Sequence, residues 1–353
     1  MNFKQLTFAR EYRSLTQTEL SEAIKGLSQS NLSKFERGIG TLSDQIQSRI
    51  IEYLDFPIEF FQKKIYNNLE HAHYRKRSTV TKSAITLFES QCKLVGYIVD
   101  QMSELIEWPE FRLQALNVEE GFAPTYIANY TRNLLGLKKD DPVRDVFMLL
   151  ERSGIIIYEI STIEKFDGIS FITDKGYPVI IVNKNFSNDR KRRTLIHELG
   201  HILMHNEGNY AISSYRDEKY RESETEIFTS EFLMPEAEIG RSLQYLRMGD
   251  LLPLKQYWLV SMSSIIRRAK DLGYIDKERY RFFSIEMSRS GQSKNESGEV
   301  YIDKPLYFQQ AFNLIKNDLE YSYSDMSKAF ALPVNLLEDI FYFDRAVSLK
   351  RVK

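Results

Sequence analysis

Hydrophobic and polar positions recur along this chain in two different periods, and the change of period divides it. Over the first sixty or so residues the spacing is helical. "FKQLTFAREYRSL", "TQTELSEAI", "SQSNLSKFERG" and "LSDQIQSRIIEYLDF" each set apolar residues three and four apart. Thr16 stands where an N-cap belongs, with Glu19 at the capping-box position. Gly38 closes the third segment, and Pro57 stops the fourth. A longer helical pattern runs from Ser83 to about Glu107, ahead of Pro109, and two more follow near "PTYIANYTRNLLGL" and "DPVRDVFMLLERSG". Then the period shortens. "GIIIYEIS", "FDGISFITD" and "PVIIVNKNF" are rich in β-branched residues and bounded by Gly, Asp and Pro, which predicts three strands. Helical spacing returns in "SNDRKRRTLIHELGHILMH" and in "EKYRESETEIFTSEFLMP", the latter ended by Pro235. It continues through most of 236–353, apart from the polar stretch "SRSGQSKNESGE". The sequence carries no evident internal repeat.

This pattern predicts an α+β protein, predominantly helical. Its expected units are an all-α helix-turn-helix domain over 1–65, a polar and locally basic linker over 66–82, a domain with a small sheet over 83–240, and a helical region over 241–353. At 353 residues the chain is long enough for two or three cores. Charge is balanced, 48 basic against 49 acidic residues, so any nucleic-acid contact must be local. One cysteine, Cys92, leaves no internal disulfide framework and suits a reducing compartment. No segment approaches the ~20 apolar residues of a membrane span, and the N-terminus lacks a secretory apolar run. Cytoplasm is the expected location, with no membrane partner.

Three of the five histidines lie in "RRTLIHELGHILMH" at four-residue spacing. A helix of 3.6 residues per turn sets His197, His201 and His205 along one face. Two imidazoles one turn apart, with a glutamate beside the first, can hold a divalent metal and activate water. Leu195, Ile196, Leu199, Ile202 and Leu203 predict that this helix is buried, and Gly200 admits a close neighbour. Catalytic zinc usually takes a third protein ligand. The helix Lys219–Met234 carries Glu222, Glu224 and Glu226; Glu222 and Glu226 share a face, while Glu224 points away onto an expected solvated side. Glu222 is therefore the expected third ligand, with Glu226 accepting a histidine N–H. Glu198 takes the role of base, since it cannot reach the same ion. His205 lies ~12 Å along the axis from His197, too far to share that ion. The strand "YPVIIVN" is either an edge that receives an extended substrate or a plain core strand. Peptide hydrolysis with Zn2+ as cofactor fits this set best.

In "LTQTELSEAIKGLSQSNLSKFERG", two short helices meet at a turn containing Gly26. Gln17, Ser28, Gln29, Ser30, Asn31 and Lys34 are the candidate DNA-contacting residues: amides read adenine edges, and helix N-termini meet phosphate. The alternative is a small helical protein-interaction module.

Both ends resemble known families. The first segment is similar to XRE-type (Cro/C1-like) helix-turn-helix domains through "LTQTELSEAI", "LSQSNLSKFERG" and "IIEYLDFPIEFF". The middle resembles the ImmA/IrrE zinc metallopeptidases through "FDGISF", "GYPVIIVN", "DRKRRTLIHELGHILMH" and "ESETEIFTSEFLMP". The resemblance implies a zincin-like domain with His197, His201 and Glu222 on zinc and Glu198 as catalytic base. Members typically have small Ala and Asn after the ligand glutamate; Thr225 and Glu226 stand there in this chain. It further implies cleavage of a partner transcriptional regulator, or of the chain itself; an operator-like DNA site is the expected nucleic-acid partner, and a homodimer is a candidate assembly. The rival reading is a DNA-binding regulator whose metal fold senses a signal or docks a partner.

Overall fold

The computed structural model describes residues 1–63, 81–162, 166–205, 218–293 and 295–341. Four helices open the chain: α1 (Phe3–Tyr12), α2 (Gln17–Ala23), α3 (Gln29–Glu36) and α4 (Asp44–Leu54). The capping box forms as the sequence implies. Thr16 Oγ1 accepts from the Glu19 amide at 3.1 Å, while Glu19 Oε2 accepts from the Thr16 amide at 2.7 Å. Each satisfies a backbone group that the helix itself cannot. Leu6, Leu20, Leu32, Ile50 and Leu54, spaced three or four apart within their helices or facing one another between them, close a core with no exposure to solvent.

The expected linker at 66–82 falls outside the described residues except at its last two positions. The four-helix unit does not stand apart. It packs on α5 (Lys82–Met102), where Phe60 meets Tyr97 edge-on at 6.2 Å and Lys63 Nζ donates to Gln101 Oε1 at 2.6 Å. Its core runs on through α5 to the sheet.

After α6 (Pro124–Leu134) and α7 (Val146–Arg152) come β1 (Ile156–Ile160), β2 (Gly168–Ile172) and β3 (Pro178–Asn183). The spatial order is β1-β3-β2, with β3 parallel to β1 and antiparallel to β2. The three strands fall where the β-branched runs predict them. The edge-strand reading of "YPVIIVN" is corrected: β3 is the central strand, and every one of its residues is buried. An uninterrupted apolar run belongs in a strand covered on both faces. Alternation then sorts the side chains. Tyr158, Ile169, Phe171, Val179 and Ile181 join the core shared with α5, whereas Ile157, Ile180 and Val182 join a second core on the other face.

That second core is built by α8 (Asn188–Met204), α9 (Glu218–Leu233), α10 (Glu236–Leu243), α11 (Leu251–Trp258), α12 (Met262–Asp271) and α13 (Lys277–Arg289). The last helices, α14 (Tyr307–Asn313), α15 (Tyr323–Phe330) and α16 (Val334–Ile340), return to the first core. Tyr158 on β1 donates to the Ile340 carbonyl at 3.0 Å there. Three helix pairs share one turn geometry that the sequence does not betray. Gly26-Leu27-Ser28, Leu259-Val260-Ser261 and Ala331-Leu332-Pro333 each run from a left-handed residue through a buried apolar residue to the N-cap of the next helix.

Candidate metal centre

The metal motif lies on α8, which is buried along its whole C-terminal half from Thr194 to Met204. Burying four or five aliphatic side chains there, at ~1.5–3 kcal/mol each, fixes the helix against the sheet. It also carries His197, Glu198 and His201 out of water. Gly200 lets α9 approach: a Cβ at this position would lie 2.9 Å from Phe228 Cδ1 and 3.0 Å from Thr225 Cγ2. The same closeness brings Glu222 onto the histidines.

The three donors form a small triangle. His197 Nε2 and His201 Nε2 are 3.2 Å apart, Glu222 Oε1 is 3.3 Å from His201 Nε2, and Glu222 Oε2 is 3.4 Å from His197 Nε2. Bonds of about 2.0–2.1 Å to a tetrahedral zinc would set ligand atoms about 3.3 Å apart. The donor set and its spacing therefore fit a divalent cation. Burial would push the Glu222 carboxyl up, but its close contacts with His197 and His201 outweigh that and hold it well below the usual carboxylate range. Burial drives His201 down to about 3, which keeps its ring neutral and its nitrogen lone pair available.

Thr225 assigns the His201 tautomer. Its hydroxyl gives its one proton to the Arg221 carbonyl at 2.8 Å, so at 3.4 Å it receives a proton from His201 Nδ1. Nε2, facing the triangle, is left as the electron donor. Glu226 lies where the sequence reading sets it, but its Oε1 is 3.9 Å from His197 Nδ1, longer than a hydrogen bond. Its other oxygen pairs with Arg193, and His197 Nδ1 is buried with no hydrogen-bond acceptor among the described residues. Glu224 corrects the expectation of a solvated side: its carboxylate is mostly buried, with Oε2 3.9 Å from His205 Nε2. Among the described residues, the donors that lie within reach of one cation are His197, His201 and Glu222, without His205, as its axial distance requires.

Glu198 points from the triangle towards β2. Ser170 Oγ donates to its Oε2 at 2.7 Å, and burial pushes the carboxyl well above its ordinary range against that hydrogen bond. Gly168, two residues earlier on the same strand face, allows this approach, since a Cβ there would lie 2.7 Å from Thr194 Cγ2. Ser170, Thr225 and Arg193 are the residues that motif reading misses as site members. The period-2 pattern of "GISF" puts Ser170 on the face opposite Ile169 and Phe171, but only the β2–α8 register reveals which helix it meets.

On the helix-turn-helix unit, Ser28, Gln29, Ser30, Asn31 and Lys34 are exposed at and beyond the start of α3. Ser28 is spent as the cap, accepting from the Asn31 amide at 3.2 Å. Gln17 is half-buried and doubly engaged: its Nε2 donates to Glu36 at 2.7 Å, and its Oε1 accepts from Gln29 at 3.0 Å. Glu36 is itself held by the buried Arg10 at 2.6 Å. Gln17 thus orients Gln29 instead of presenting a free amide.

A helix-turn-helix unit packed against one face of the sheet, with a metal-capable His-Glu-x-x-His helix on the other face, fits a DNA-binding unit joined to a metallopeptidase fold. Residues 8–61 match the family model described as helix-turn-helix, and residues 150–270 match the peptidase M78 model, described as IrrE N-terminal-like domain. No curated protein and no solved structure matches the chain. Residues 8–61 thus belong to an XRE-type helix-turn-helix domain and residues 150–270 to an IrrE/ImmA-like peptidase M78 domain. Among the described residues, no helix is long and apolar enough to cross a membrane.

Proposed function

We propose that the chain is a cytoplasmic zinc-dependent endopeptidase, brought to a regulated promoter by its helix-turn-helix domain, that cleaves a regulatory protein. The substrate is a partner repressor or the chain itself. The observation that carries this reading is the donor triangle at zinc-like spacing beside a buried glutamate held by Ser170. His197, His201 and Glu222 would hold Zn2+, which supplies Lewis acidity and lowers the pKa of a water towards ~7. Glu226 would take up His197 Nδ1–H, and Thr225 already fixes His201. Glu198 is the base: it removes the proton of the attacking water and passes it to the leaving amine. Ser170 keeps that carboxylate aimed. An extended substrate segment would add to β2, beyond which no described strand lies. Gln29, Ser30, Asn31 and Lys34 would meet the DNA, as a monomer or in a homodimer.

A regulator that only senses the metal needs its three ligands and has no use for Glu198. The test compares wild type with Glu198→Gln, both zinc-loaded, in a host-cell extract, by labelling newly formed peptide N-termini. New ends from wild type alone, with zinc retained in both proteins, are expected. Identical ends in both samples would replace the peptidase reading with the regulatory one.

A further inference from the structure

The face of α8 that meets the metal triangle carries one more polar residue. Arg193 lies one turn before His197, about 6 Å along the axis, so Arg193, His197 and His201 form a single stripe. Glu226 and Glu222, also one turn apart, oppose that stripe from α9. Arg193 pairs with Glu226 Oε2 and with no other residue among those described. The second oxygen, Oε1, lies 3.9 Å from His197 Nδ1, a nitrogen buried out of reach of water and without an acceptor among the described residues. His201 has the Thr225 hydroxyl as its support at 3.4 Å, whereas His197 has the Arg193–Glu226 pair beside it. Thr225 and Glu226 stand at the two positions where this chain departs from the Ala and Asn of the ImmA/IrrE pattern.

We propose that Arg193 is a positioning residue of the metal centre: it holds the Glu226 carboxylate beside His197, ready to accept the Nδ1 proton when Nε2 binds zinc. The proposal rests on the zinc reading above. A neutral imidazole has one N–H, so a ring that gives its Nε2 lone pair to a cation carries its proton on Nδ1. Buried there without an acceptor, that proton would cost the centre the desolvation of an unpaired donor. A movement of about 1 Å brings Glu226 Oε1 to hydrogen-bond distance. Arg193 keeps it within that range: the Glu226 side chain is 34% exposed, and without the guanidinium its carboxylate is free to turn into water. Charge alone predicts the opposite effect. A guanidinium near a divalent cation repels it, so a residue that acted only through its charge would weaken zinc binding, and its removal would tighten it.

The experiment measures zinc affinity of the full chain by chelator competition for wild type, Arg193→Gln, Arg193→Lys, Glu226→Ala and the double variant Arg193→Gln/Glu226→Ala. Arg193→Gln should weaken zinc by about tenfold, and Arg193→Lys should recover part of the loss. In the Glu226→Ala background Arg193→Gln should cause no further weakening, because its effect passes through that carboxylate. The pair is partly exposed, so the metal-free proteins should melt alike. In zinc-saturated protein labelled with 15N-histidine, the His197 Nδ1 proton should give a slowly exchanging signal that Arg193→Gln removes. Affinity unchanged or raised by Arg193→Gln overturns the proposal, as does an equal loss in both backgrounds or a proton signal that Arg193→Gln leaves in place. Those results leave the three-ligand centre standing. Wild type that binds no zinc overturns that centre and the proposal together.

Discussion

Replacing Gly200 by Ala tests whether the α8–α9 contact sets the metal centre. In most exposed helices this change stabilises by about 1 kcal/mol, because Gly is the poorer helix former. Here the added Cβ would lie 2.9 Å from Phe228 Cδ1 and 3.0 Å from Thr225 Cγ2, both on α9. Ordinary carbon contacts need about 3.5–4.0 Å, so the deficit is about 0.5–1 Å. Phe228 and Thr225 are both fully buried and cannot swing into solvent. Overpacking of this kind costs about 1–3 kcal/mol, which the propensity gain only partly offsets, leaving a net loss of about 1 kcal/mol. The cheapest relief is for α9 to retreat by a few tenths of an ångström. That motion carries Thr225 from His201 and opens the 3.3–3.4 Å spacing of Glu222 to the histidines. Zinc affinity should therefore fall, by about the 10–100-fold seen when a ligand's support is removed. Competition against a chromophoric chelator measures the affinity, and thermal unfolding of metal-free protein measures the stability. A variant that melts higher than wild type and binds zinc equally well would refute the close-approach reasoning.

Other consequences follow from buried charges and exposed ones. Glu151 accepts from the Leu306 and Tyr307 amides at 2.9 Å, yet burial raises it to about 7. The folded chain thus keeps a proton between pH ~4.5 and ~7 that the unfolded chain releases, so stability should fall across that window by up to about 3 kcal/mol. Glu151→Gln keeps an acceptor oxygen and should flatten that slope in urea unfolding at a series of pH values; an unchanged slope would assign the pH dependence elsewhere. Arg268 of α12 pairs with Glu231 of α9 in the core, and Asn129 donates to the same carboxylate at 2.9 Å. Arg268→Ala leaves that carboxylate buried without its cation and should cost about 3–5 kcal/mol in denaturant unfolding, against less than 1 kcal/mol for an idle pair. Lys34→Ala, at an exposed position of α3, should weaken non-specific duplex DNA binding uniformly and lower the salt slope by about 1; no change would remove α3 from the DNA face.

Much of the architecture is legible in local pattern, because helices and strands announce themselves by period. The capping box at Thr16, the stop at Pro57 and the three β-branched runs all lie where short-range chemistry puts them. Pairing is a different matter. Nothing near residues 178–183 says that β3 sits between β1 and β2, although its unbroken apolar run is the mark of a doubly covered strand. The return of α14–α16 to the α5 side of the sheet rests on contacts such as Tyr158 with Ile340, which are remote in sequence. The metal centre divides the same way. His197, Glu198 and His201 are one helical motif, and Glu222 follows from facing along α9. Ser170 emerges only from the β2–α8 register, and Arg193 diverts Glu226 through a contact between two helices. Glu224 shows the limit of the helical wheel, since a side that faces away from one ligand can still be covered by the end of α8.

The most direct test is metal content. Elemental analysis of wild type, His197→Ala and Glu222→Ala, purified without added zinc, should find about one zinc per chain in wild type and little in either variant. A wild-type protein without metal, or one whose zinc survives the loss of Glu222, would contradict the three-ligand centre on which the peptidase reading stands.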